Sequence, residues 1–525
     1  MRGSFRRDMS PGKSPGSCLF SRQFWAGVIE KAAQPNTKAE PLPPALFSLV
    51  EVAEGLRTGQ GSDQEERPVL TMSPGSRDSM HLREGDTVAV VGGGIAALAF
   101  CRHFLSLAST YGPRVRVCLI GKPGCNRCGG LLTRSAAELI EATFGVGLGR
   151  DLVRSEITEC IYVTSSGGVG ISLKEPVYTV LRNDKFGVPG LDSYLRTLIV
   201  NGIPGASCLF QLVWPAEATG VWRCSSGFTV QYRPEPWETT PAGPPLTVKA
   251  QVLVVATGLE SLSSAFIKQF SSLTGYRPPG LMKASVCEML MPSTSASSVD
   301  ARVFLIDGIL PNTTITAISK GNAWFTLTSL NRILTRDNLR SLFSHPVLRE
   351  YIDLSDPVDS LRCSKVCPAA AWQSPARNFY GEGWVVLGDL AGHGKIFKDG
   401  FSSVICGARL AAKAMVCYGC SRKNFRWHYH LPLLRYHPDN AVGRTLFSLN
   451  SRFQKVPLFS KSLCMAAESE HRHGPYRGLV QEGLRSLATG ERSYLQIASL
   501  LGWGLANYSL ASSWQSLRRA FSQKQ

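Results

Sequence analysis

Residues 87–101 place a short apolar strand directly before a glycine-rich turn and an apolar helical pattern. The strand reads Thr-Val-Ala-Val-Val, and the turn follows as Gly92-x-Gly94-x-x-Ala97. Gly92 permits the tight turn, Gly94 permits the backbone to approach a pyrophosphate, and the small Ala97 permits close packing of helix on sheet. The helix N-terminus presents N–H groups to the phosphates. This order predicts a dinucleotide-binding βαβ unit, with its second strand at 115–120.

The chain has 525 residues, of which 44% are hydrophobic, enough to bury a large core in more than one domain. We expect an N-terminal extension over 1–83, a core over 84–420 and a C-terminal region over 421–525. The extension is rich in Ser, Pro, Gly and charged residues, so we predict that it is disordered or targeting-like. Translation from Met72 or Met80 is the alternative. The fifteen cysteines show no disulfide-framework spacing, which favours reduced, intracellular thiols.

The positive charge of the chain is concentrated near its C-terminus. The net charge is +18, and residues 421–525 carry fifteen Lys or Arg against five Asp or Glu. Such a region suits an anionic membrane surface or an acidic substrate, and a basic surface without a specific partner is the alternative. No nucleic-acid motif accompanies it, so no nucleic acid is expected as a partner. We expect a location that is cytoplasmic or peripheral to a membrane, with organelle targeting by the N-terminus as the alternative.

Residues 493–517 form a long segment without charge. Gln, Asn, two glycines and many serines interrupt it, so it is less apolar than a typical membrane span. We expect a buried terminal helix here. An interfacial helix and a membrane span are the alternatives, in that order.

Two later strands also end in small residues. Residues 252–258 read Val-Leu-Val-Val-Ala-Thr-Gly, and residues 383–392 read Gly-Trp-Val-Val-Leu-Gly-Asp-Leu-Ala-Gly. Gly400 and a helix of small residues over 402–414 follow the second strand. That strand places Asp389 beside a helix N-terminus, where a carboxylate accepts hydrogen bonds from sugar-chain hydroxyls and N–H groups face a phosphate or a polar ring edge. A role for Asp389 in the turn or as a helix cap is the alternative.

The order of these motifs resembles the FAD-dependent oxidoreductases that share a glutathione-reductase-like FAD domain, and among them the geranylgeranyl-reductase group. That group has a Cys-Gly-Gly segment after its second strand, which is similar to residues 128–130. It also has a strand with Arg before an Asp-x-x-Leu helix start, similar to Arg182 and 191–195. A Gly-x-x-x-Tyr element near its end is similar to residues 488–494. The resemblance covers about residues 86–500.

The resemblance implies an α/β fold with a Rossmann-like FAD-binding domain built from discontinuous segments near 84–150, 246–285 and 365–420. An inserted, mainly antiparallel β-sheet substrate domain over about 151–245 and 286–364 and a basic, helical C-terminal region would complete it. The implied cofactor is FAD, with NAD(P)H as a candidate electron donor. The residues implied to bind the cofactor are Gly92, Gly94, Ala97, Cys128, Gly129, Gly130, Arg182, Gly258, Gly388, Asp389, Gly392 and Gly400.

The function implied by the resemblance is that of an FAD-dependent oxidoreductase acting on a bulky apolar, isoprenoid or lipid-like substrate, or on an aromatic one. The alternatives are a flavin monooxygenase or halogenase of a secondary metabolite, and a non-catalytic flavoprotein-like scaffold. Two departures from the family pattern leave these alternative functions open. The acidic residue expected about 20 residues beyond the glycine turn is replaced by Gly121 and Lys122, so Lys122 becomes a candidate phosphate ligand. The Asp-Gly pair of the related hydroxylases is replaced by residues 257–258, Thr-Gly.

No catalytic residue can be assigned from the sequence. Two Cys-x-x-Cys pairs, at 125–128 and 417–420, have the spacing of half a zinc site each. The first overlaps the segment that resembles a flavin-binding loop and the second ends a predicted helix. We therefore expect no metal site.

Overall fold

The computed structural model describes residues 80–125, 127–202, 208–235, 243–292, 299–395, 400–454, 456–472 and 478–522. Apart from residues 80–83, the N-terminal extension lies outside the described residues, so the predictions made for it stay predictions.

Seventeen strands are described in these ranges: β1 Thr87–Val91, β2 Arg116–Ile120, β3 Leu131–Leu132, β4 Ser155–Thr164, β5 Gly167–Thr179, β6 Leu209–Val213, β7 Ala216–Cys224, β8 Gly227–Pro234, β9 Leu246–Ala250, β10 Val252–Val255, β11 Gly280–Leu290, β12 Arg302–Asp307, β13 Thr314–Ser319, β14 Trp324–Leu330, β15 Cys367–Ser374, β16 Tyr380–Gly381 and β17 Trp384–Val386. The described α-helices are α1 Ile95–Tyr111, α2 Arg134–Phe144, α3 Leu191–Val200, α4 Ala265–Thr274, α5 Arg336–Phe343, α6 Pro346–Arg349, α7 Gly400–Lys413, α8 Arg422–Phe425, α9 Leu431–Leu433, α10 Tyr436–Phe453, α11 Pro457–Arg472, α12 Leu479–Thr489 and α13 Tyr494–Ser522.

A six-stranded sheet in the order β16-β17-β10-β1-β2-β6 forms the first layer. All its pairs are parallel except β16 with β17. Every residue of β1 and β10 is buried, as expected for central strands covered on both faces. The mixed α/β fold with a parallel sheet, predicted from the sequence, is confirmed. Strand β6 joins this sheet beside β2, although it lies within the range 151–245 predicted for the insert.

An eight-stranded sheet in the order β15-β11-β14-β13-β12-β4-β5-β3 forms the second unit of the architecture. Its pairs are antiparallel except β12 with β4. Strands β3 and β15 belong to it, although both fall in segments predicted for the FAD-binding domain. This sheet thus draws strands from both predicted domains, and the predicted domain boundaries stay a prediction. A third, three-stranded sheet pairs β7, β8 and β9.

The C-terminal helices pack on the eight-stranded sheet through an apolar core. Ile157 and Ile171 of the sheet are buried in one cluster with Leu463 of α11 and Val480 and Leu484 of α12. Because apolar side chains from both layers leave water here, this contact holds the basic C-terminal region against the sheet.

Helix α7 continues through a π-helical stretch, Ala414–Tyr418. By length and composition, Gly400–Tyr418 is the one helix of the described chain that could cross a membrane. Half of that window is buried inside the protein, where α7 packs along α1. This burial is typical of the core helix of an α/β domain.

Helix α13 covers the uncharged segment 493–517. Of its side chains described over 494–513, Tyr494, Ile497 and Gly504 are buried, and eleven positions are exposed. The prediction of a buried terminal helix is therefore wrong, because the helix packs against α10 and α12 with one side only. The exposed positions over 494–513 carry no charge.

Candidate cofactor site

The glycine turn after β1 has the geometry that the sequence predicts. Gly92 has a φ of +134°, and a β-carbon there would collide with the carbonyl group of Ala256 at the end of β10. Its N–H donates to the Ile120 carbonyl at 2.8 Å. Glycine is therefore required where β1, β2 and β10 end side by side. Ala97, in the first turns of α1, has no exposed surface, consistent with close helix packing.

The N-terminus of α1 opens into a large cavity. Gly94 is the N-cap residue, with extended backbone and no side-chain hydrogen bond capping the helix. Residues 93–96 line the cavity, which has a volume of about 1020 Å³. Uncapped N–H groups at the start of a 17-residue helix favour an anion. The cavity is at the upper end of the range of about 300–1,000 Å³ that small-molecule sites occupy.

The second motif lies against the start of α1. Gly388 has a φ of +67°, and a β-carbon there would lie 3.1 Å from the β-carbon of Ala96. The Asp389 side chain faces the same cavity. Asp389 is exposed to the cavity, but the surrounding protein desolvates its carboxyl and raises the pKa, and the positive charge of Arg182 opposes that rise. Two motifs that are about 300 residues apart in the chain thus meet at one cavity.

Arg182 is held in place by a bidentate ion pair. Its Nε and Nη2 donate to Oδ1 and Oδ2 of Asp192 at 2.9 and 2.8 Å, and Asp192 is a buried residue in the first turn of α3. Burial lowers the pKa of Arg182, but the charge and hydrogen bonds of Asp192 outweigh it, so the net shift is upward. A β-carbon on Gly94 would lie 3.4 Å from Nη2 of Arg182. The Arg182–Asp192 ion pair therefore lies beside the start of α1, with the guanidinium as the nearer group.

The Cys128-Gly129-Gly130 segment forms a tight loop on the wall of the cavity. Gly130 has a φ of +63°, and its N–H donates to Sγ of Cys128 at 3.4 Å. Lys320, which sequence reasoning missed, donates from Nζ to the carbonyls of Gly129 at 2.6 Å and Val180 at 3.0 Å. Burial lowers the pKa of Lys320 to about 8. No local pattern indicates this lysine, because it lies 191 residues from Gly129 in the chain.

Replacing Lys320 with methionine is expected to loosen this loop. Two buried carbonyls would lose their donor, which costs about 1–3 kcal/mol of unfolding free energy and weakens flavin binding about tenfold. Urea unfolding and a flavin titration measure the two effects. Lys268→Met, which changes an exposed lysine of α4, is the matched control. Equal flavin affinity in both variants would contradict the assigned role of Lys320.

The end of β2 differs from the arrangement typical of dinucleotide sites. A β-carbon on Gly121 would lie 2.9 Å from the ring of Trp214 and 3.0 Å from the Cα of Gly93. An acidic side chain therefore does not fit at position 121 while Trp214 keeps its place. The guanidinium of Arg196 lies 4.0 Å from the centre of the Trp214 ring, on the same indole. The aromatic ring takes the space that the expected carboxylate would need.

Lys122 is engaged by two carboxylates. Its Nζ lies 3.0 Å from Glu217 and 2.6 Å from Glu235, residues that the three-stranded sheet brings to the end of β2. Burial lowers the pKa of Lys122, but the two glutamates raise it by more, so the net shift of the pKa is upward. The candidate role of Lys122 as a phosphate ligand is therefore not supported by this arrangement.

The loop after Asp389 contacts the C-terminal region. Lys395, a residue that sequence reasoning missed, lines the cavity and donates from Nζ to the Gly490 carbonyl at 2.6 Å. Gly490 caps the C-terminal end of α12 and belongs to the 488–494 element singled out in the sequence. Tyr494 of that element is buried and also lines the cavity. The C-terminal region thus contributes directly to the walls of the site.

The far part of the cavity is apolar. Its walls come from the inner face of the eight-stranded sheet and from α10 to α13, and they include Val286, Val303, Leu305, Ile318, Leu446, Phe447, Leu449, Phe453, Phe459, Leu463, Leu484, Leu501 and Leu505. At its edge, Asp307 accepts hydrogen bonds from Thr314 at 2.7 Å and from Gln454 at 2.8 Å. The carboxylate is therefore satisfied by the protein and does not need a partner from a ligand.

The structure brings most of the predicted site residues together. Nine of the twelve line this one cavity: Gly94, Cys128, Gly129, Gly130, Arg182, Gly258, Gly388, Asp389 and Gly400. Gly92 and Ala97 lie behind it in packed positions. Gly392 has a φ of +63°, and a β-carbon there would lie 3.0 Å from the Cα of Pro375. This glycine does not line the cavity. Arg127 and Glu260, an ion pair at 3.0 Å on the cavity wall, were not predicted.

A cluster of histidines lies next to Gly392. His393 is buried, and its Nδ1 is 2.9 Å from Nε2 of His437. Its Nε2 is buried without a hydrogen-bond partner in the described part of the protein, and its ring centre lies 4.3 Å from that of Phe379. Burial, together with His437 and His430, lowers the pKa of His393 to about 3. Among the described residues, no group of three or more His, Cys, Asp or Glu side chains could hold a metal ion.

The unfolding free energy is expected to fall as the pH drops from about 6.5 toward 3. The pKa of His393 is lower in the folded chain than in the unfolded one, so the unfolded chain binds the extra proton in this window. One such group gives a slope of about 1.4 kcal/mol per pH unit, and His103, whose pKa burial lowers to about 4, adds to it. Urea unfolding of His393→Phe between pH 7 and 4 should show a shallower slope. His471→Phe, at an exposed position, should keep the wild-type slope. Equal slopes of unfolding free energy against pH in the two variants would contradict the prediction.

Comparisons with known proteins agree with this architecture. Neither the models of protein families nor the curated proteins match the chain. A solved structure of a geranylgeranyl bacteriochlorophyll reductase-like protein from Thermoplasma acidophilum aligns with a TM-score of 0.52 at 18% identity, covering 72% of this chain and 92% of its own. A flavoprotein/dehydrogenase from Cytophaga hutchinsonii aligns with a TM-score of 0.50 at 14% identity, covering 76% and 92%.

These similarities show that the chain has the same fold as this reductase-like protein and this flavoprotein/dehydrogenase. The resemblance drawn from the glycine turn and the Gly388-Asp389 motif is therefore confirmed at the level of the fold. At these identities the similarity concerns the fold alone, and the activity has to be argued from the site.

Proposed function

We propose that this chain is an FAD-dependent oxidoreductase that acts on a bulky apolar substrate, isoprenoid or lipid-like. The observation that supports the proposal is the continuity of one cavity. It joins the start of α1 and Asp389 to the apolar walls formed by the eight-stranded sheet and the C-terminal helices. A cofactor end with charged and N–H groups and a substrate end with apolar side chains are what such an enzyme requires.

The residues present fit the pyrophosphate and the flavin half of FAD. The N–H groups at the start of α1 and the charge of Arg182 would hold the pyrophosphate, because both favour an anion. Asp389 would accept hydrogen bonds from the hydroxyls of the sugar chain, and Gly258 and Gly400 allow close approach of the backbone. FAD, when bound, supplies a group that accepts and donates hydride. The protein would orient that group.

The fit is weaker at the end of β2. Gly121 supplies no carboxylate for the ribose hydroxyls, Trp214 occupies the neighbouring space, and Lys122 is paired with Glu217 and Glu235. We therefore expect that the affinity for FAD depends mainly on the pyrophosphate and the flavin half. This departure is the observation that favours the second candidate, a flavoprotein-like scaffold without turnover.

The proposal is tested by purifying the full chain, recording its visible spectrum and extracting the bound flavin. A yellow protein with one flavin per chain is expected. Asp389→Ala should lose most of this flavin, while Asp353→Ala, at an exposed position paired with Arg349, should keep it. A wild-type protein that stays colourless after incubation with FAD would overturn the proposal and support the scaffold.

The electron donor and the reaction type are tested on the flavin-loaded protein. We propose NADH or NADPH as the donor, so either should bleach the flavin band in the absence of oxygen. Reoxidation by an apolar acceptor without oxygen is the outcome expected for a reductase. Reoxidation that requires oxygen and is accelerated by an aromatic substrate would instead identify a monooxygenase or, with halide, a halogenase.

A further inference from the structure

We infer that the C-terminal end of α10, the N-terminal end of α11 and the exposed side of α13 dock onto the surface of an anionic lipid membrane. The apolar part of the cavity opens onto this docking surface. We call these positions the C-terminal apolar face: Leu449, Phe453, Val456, Leu458, Trp503 and Leu510. The inference deepens the proposed function and rests on it for the role of the cavity, because a lipid-like substrate would enter from the membrane.

The first observation is the exposure of large apolar side chains. Leu458 is 73% exposed, Trp503 59% and Leu510 71%. Single exposed apolar side chains are normal on a protein surface, but a group of them marks an interaction site. Trp503 and Leu510 are seven residues apart on α13 and therefore lie on the same side of that helix.

The second observation is that the exposed positions of α13 carry no charge over its described side chains, 494–513. Residues 493–517 contain no Asp, Glu, Lys or Arg, and the exposed positions around Trp503 are Ser499, Gly502, Ala506 and Asn507. A helix side that faces only water usually carries charged residues. A tryptophan on an uncharged helix side is typical of a helix that lies in the interface of a bilayer.

The third observation connects this face with the cavity. Leu449, Phe453 and Gly502 are exposed to solvent and also line the cavity. They belong to α10 and α13, which pack against each other. The opening of the apolar cavity is therefore bordered by the C-terminal apolar face. A substrate with a long apolar part could pass between the bilayer and the cavity without crossing water.

The fourth observation is the charge around the face, which decides the kind of occupant. Arg452 and Lys461 are exposed and flank Val456 and Leu458 in the sequence, and neither forms an ion pair with a described residue. Positive side chains beside an apolar face complement an anionic lipid surface. A second copy docked through the same face would bring like charges together. The charges therefore favour lipid over self-association.

Vesicle sedimentation of the full chain tests the inference. Phosphatidylcholine vesicles and phosphatidylcholine vesicles with about 30% phosphatidylglycerol are the two probes. We expect binding to the anionic vesicles that weakens as salt is raised. Leu458→Ser/Trp503→Ser should reduce the bound fraction at least about tenfold. Arg452→Glu/Lys461→Glu should remove the preference for anionic vesicles.

Matched controls change the same residue types at a distance. Leu209→Ser/Trp222→Ser alters two exposed apolar side chains of β6 and β7, 66% and 41% exposed, and Arg114→Glu/Arg116→Glu alters two exposed arginines near β2. Both controls should bind vesicles like the wild type. Circular dichroism melts verify that each variant is folded.

Three results would overturn the inference. The first is a wild type that sediments with neither vesicle, and the second is a Leu458→Ser/Trp503→Ser variant that sediments as well as the wild type. Alternatively, sedimentation velocity without lipid shows a dimer that Leu458→Ser/Trp503→Ser abolishes, which would assign the face to a second copy. The assay needs no flavin and no turnover. A yellow protein that does not bind vesicles would refute this inference alone. A colourless protein that binds vesicles would refute only the proposed function.

Discussion

Gly94→Asp is expected to yield a folded protein that purifies without flavin, with an affinity for FAD lowered about 100-fold. The backbone of Gly94 is extended, so any residue fits its conformation, and aspartate is a favourable N-cap residue. The new carboxylate would lie beside Arg182 and at the uncapped start of α1, where it would satisfy the groups that favour a pyrophosphate. Flavin content by extraction and a titration with FAD measure the loss.

Gly94→Ala is the matched control for this substitution. Its β-carbon would lie 3.4 Å from Arg182 and 3.8 Å from Asp192, distances that need little adjustment, and it adds no charge. We expect it to keep most of the flavin. If Gly94→Asp retains the wild-type flavin content, the pyrophosphate does not bind at the start of α1.

Asp192→Leu is expected to lower the unfolding free energy by about 3–5 kcal/mol. The side chain of Asp192 is 4% exposed and that of Arg182 is 22% exposed, so removing the carboxylate leaves a largely buried guanidinium without its bidentate partner. Arg182→Met should have a similar cost, because it leaves the Asp192 carboxylate buried and unpaired. Urea unfolding of the apo proteins measures both.

The double variant Arg182→Met/Asp192→Leu separates stability from binding. It removes both charges, so its unfolding free energy should recover most of the loss seen in the single variants. Its flavin affinity should stay low, because the positive charge beside Gly94 is gone. Additive losses of stability in the double variant, or wild-type flavin content, would contradict the assignment of Arg182.

The parts of the site that follow from local pattern could be predicted from the sequence. The turn at Gly92 needs a positive φ and a close approach of strands, and only glycine meets both conditions. The segment ending in Gly388 and Asp389 is a short apolar run before a turn, which indicates a buried strand. These features depend on a few neighbouring residues, so they are readable without the fold.

The parts that depend on distant contacts could not be predicted in this way. Lys320 reaches the Gly129 carbonyl from a turn 191 residues away, and Trp214 covers the end of β2 because β6 joins the parallel sheet next to it. Neither residue has a local pattern of its own. For α13 the composition predicted a helix but not its burial, because packing against α10 and α12 decides which side is covered.

The uneven fit along the predicted dinucleotide site has a consequence for how the cofactor is retained. A ligand that is bound tightly at one end and weakly at the other dissociates more readily than a ligand that is bound tightly at both ends. Since a ligand that binds only the folded state stabilises it more as its free concentration rises above the dissociation constant, the lifetime of this protein would follow the supply of flavin. Trp214, by covering the end of β2, would thereby link the abundance of the folded chain to the flavin status of its surroundings.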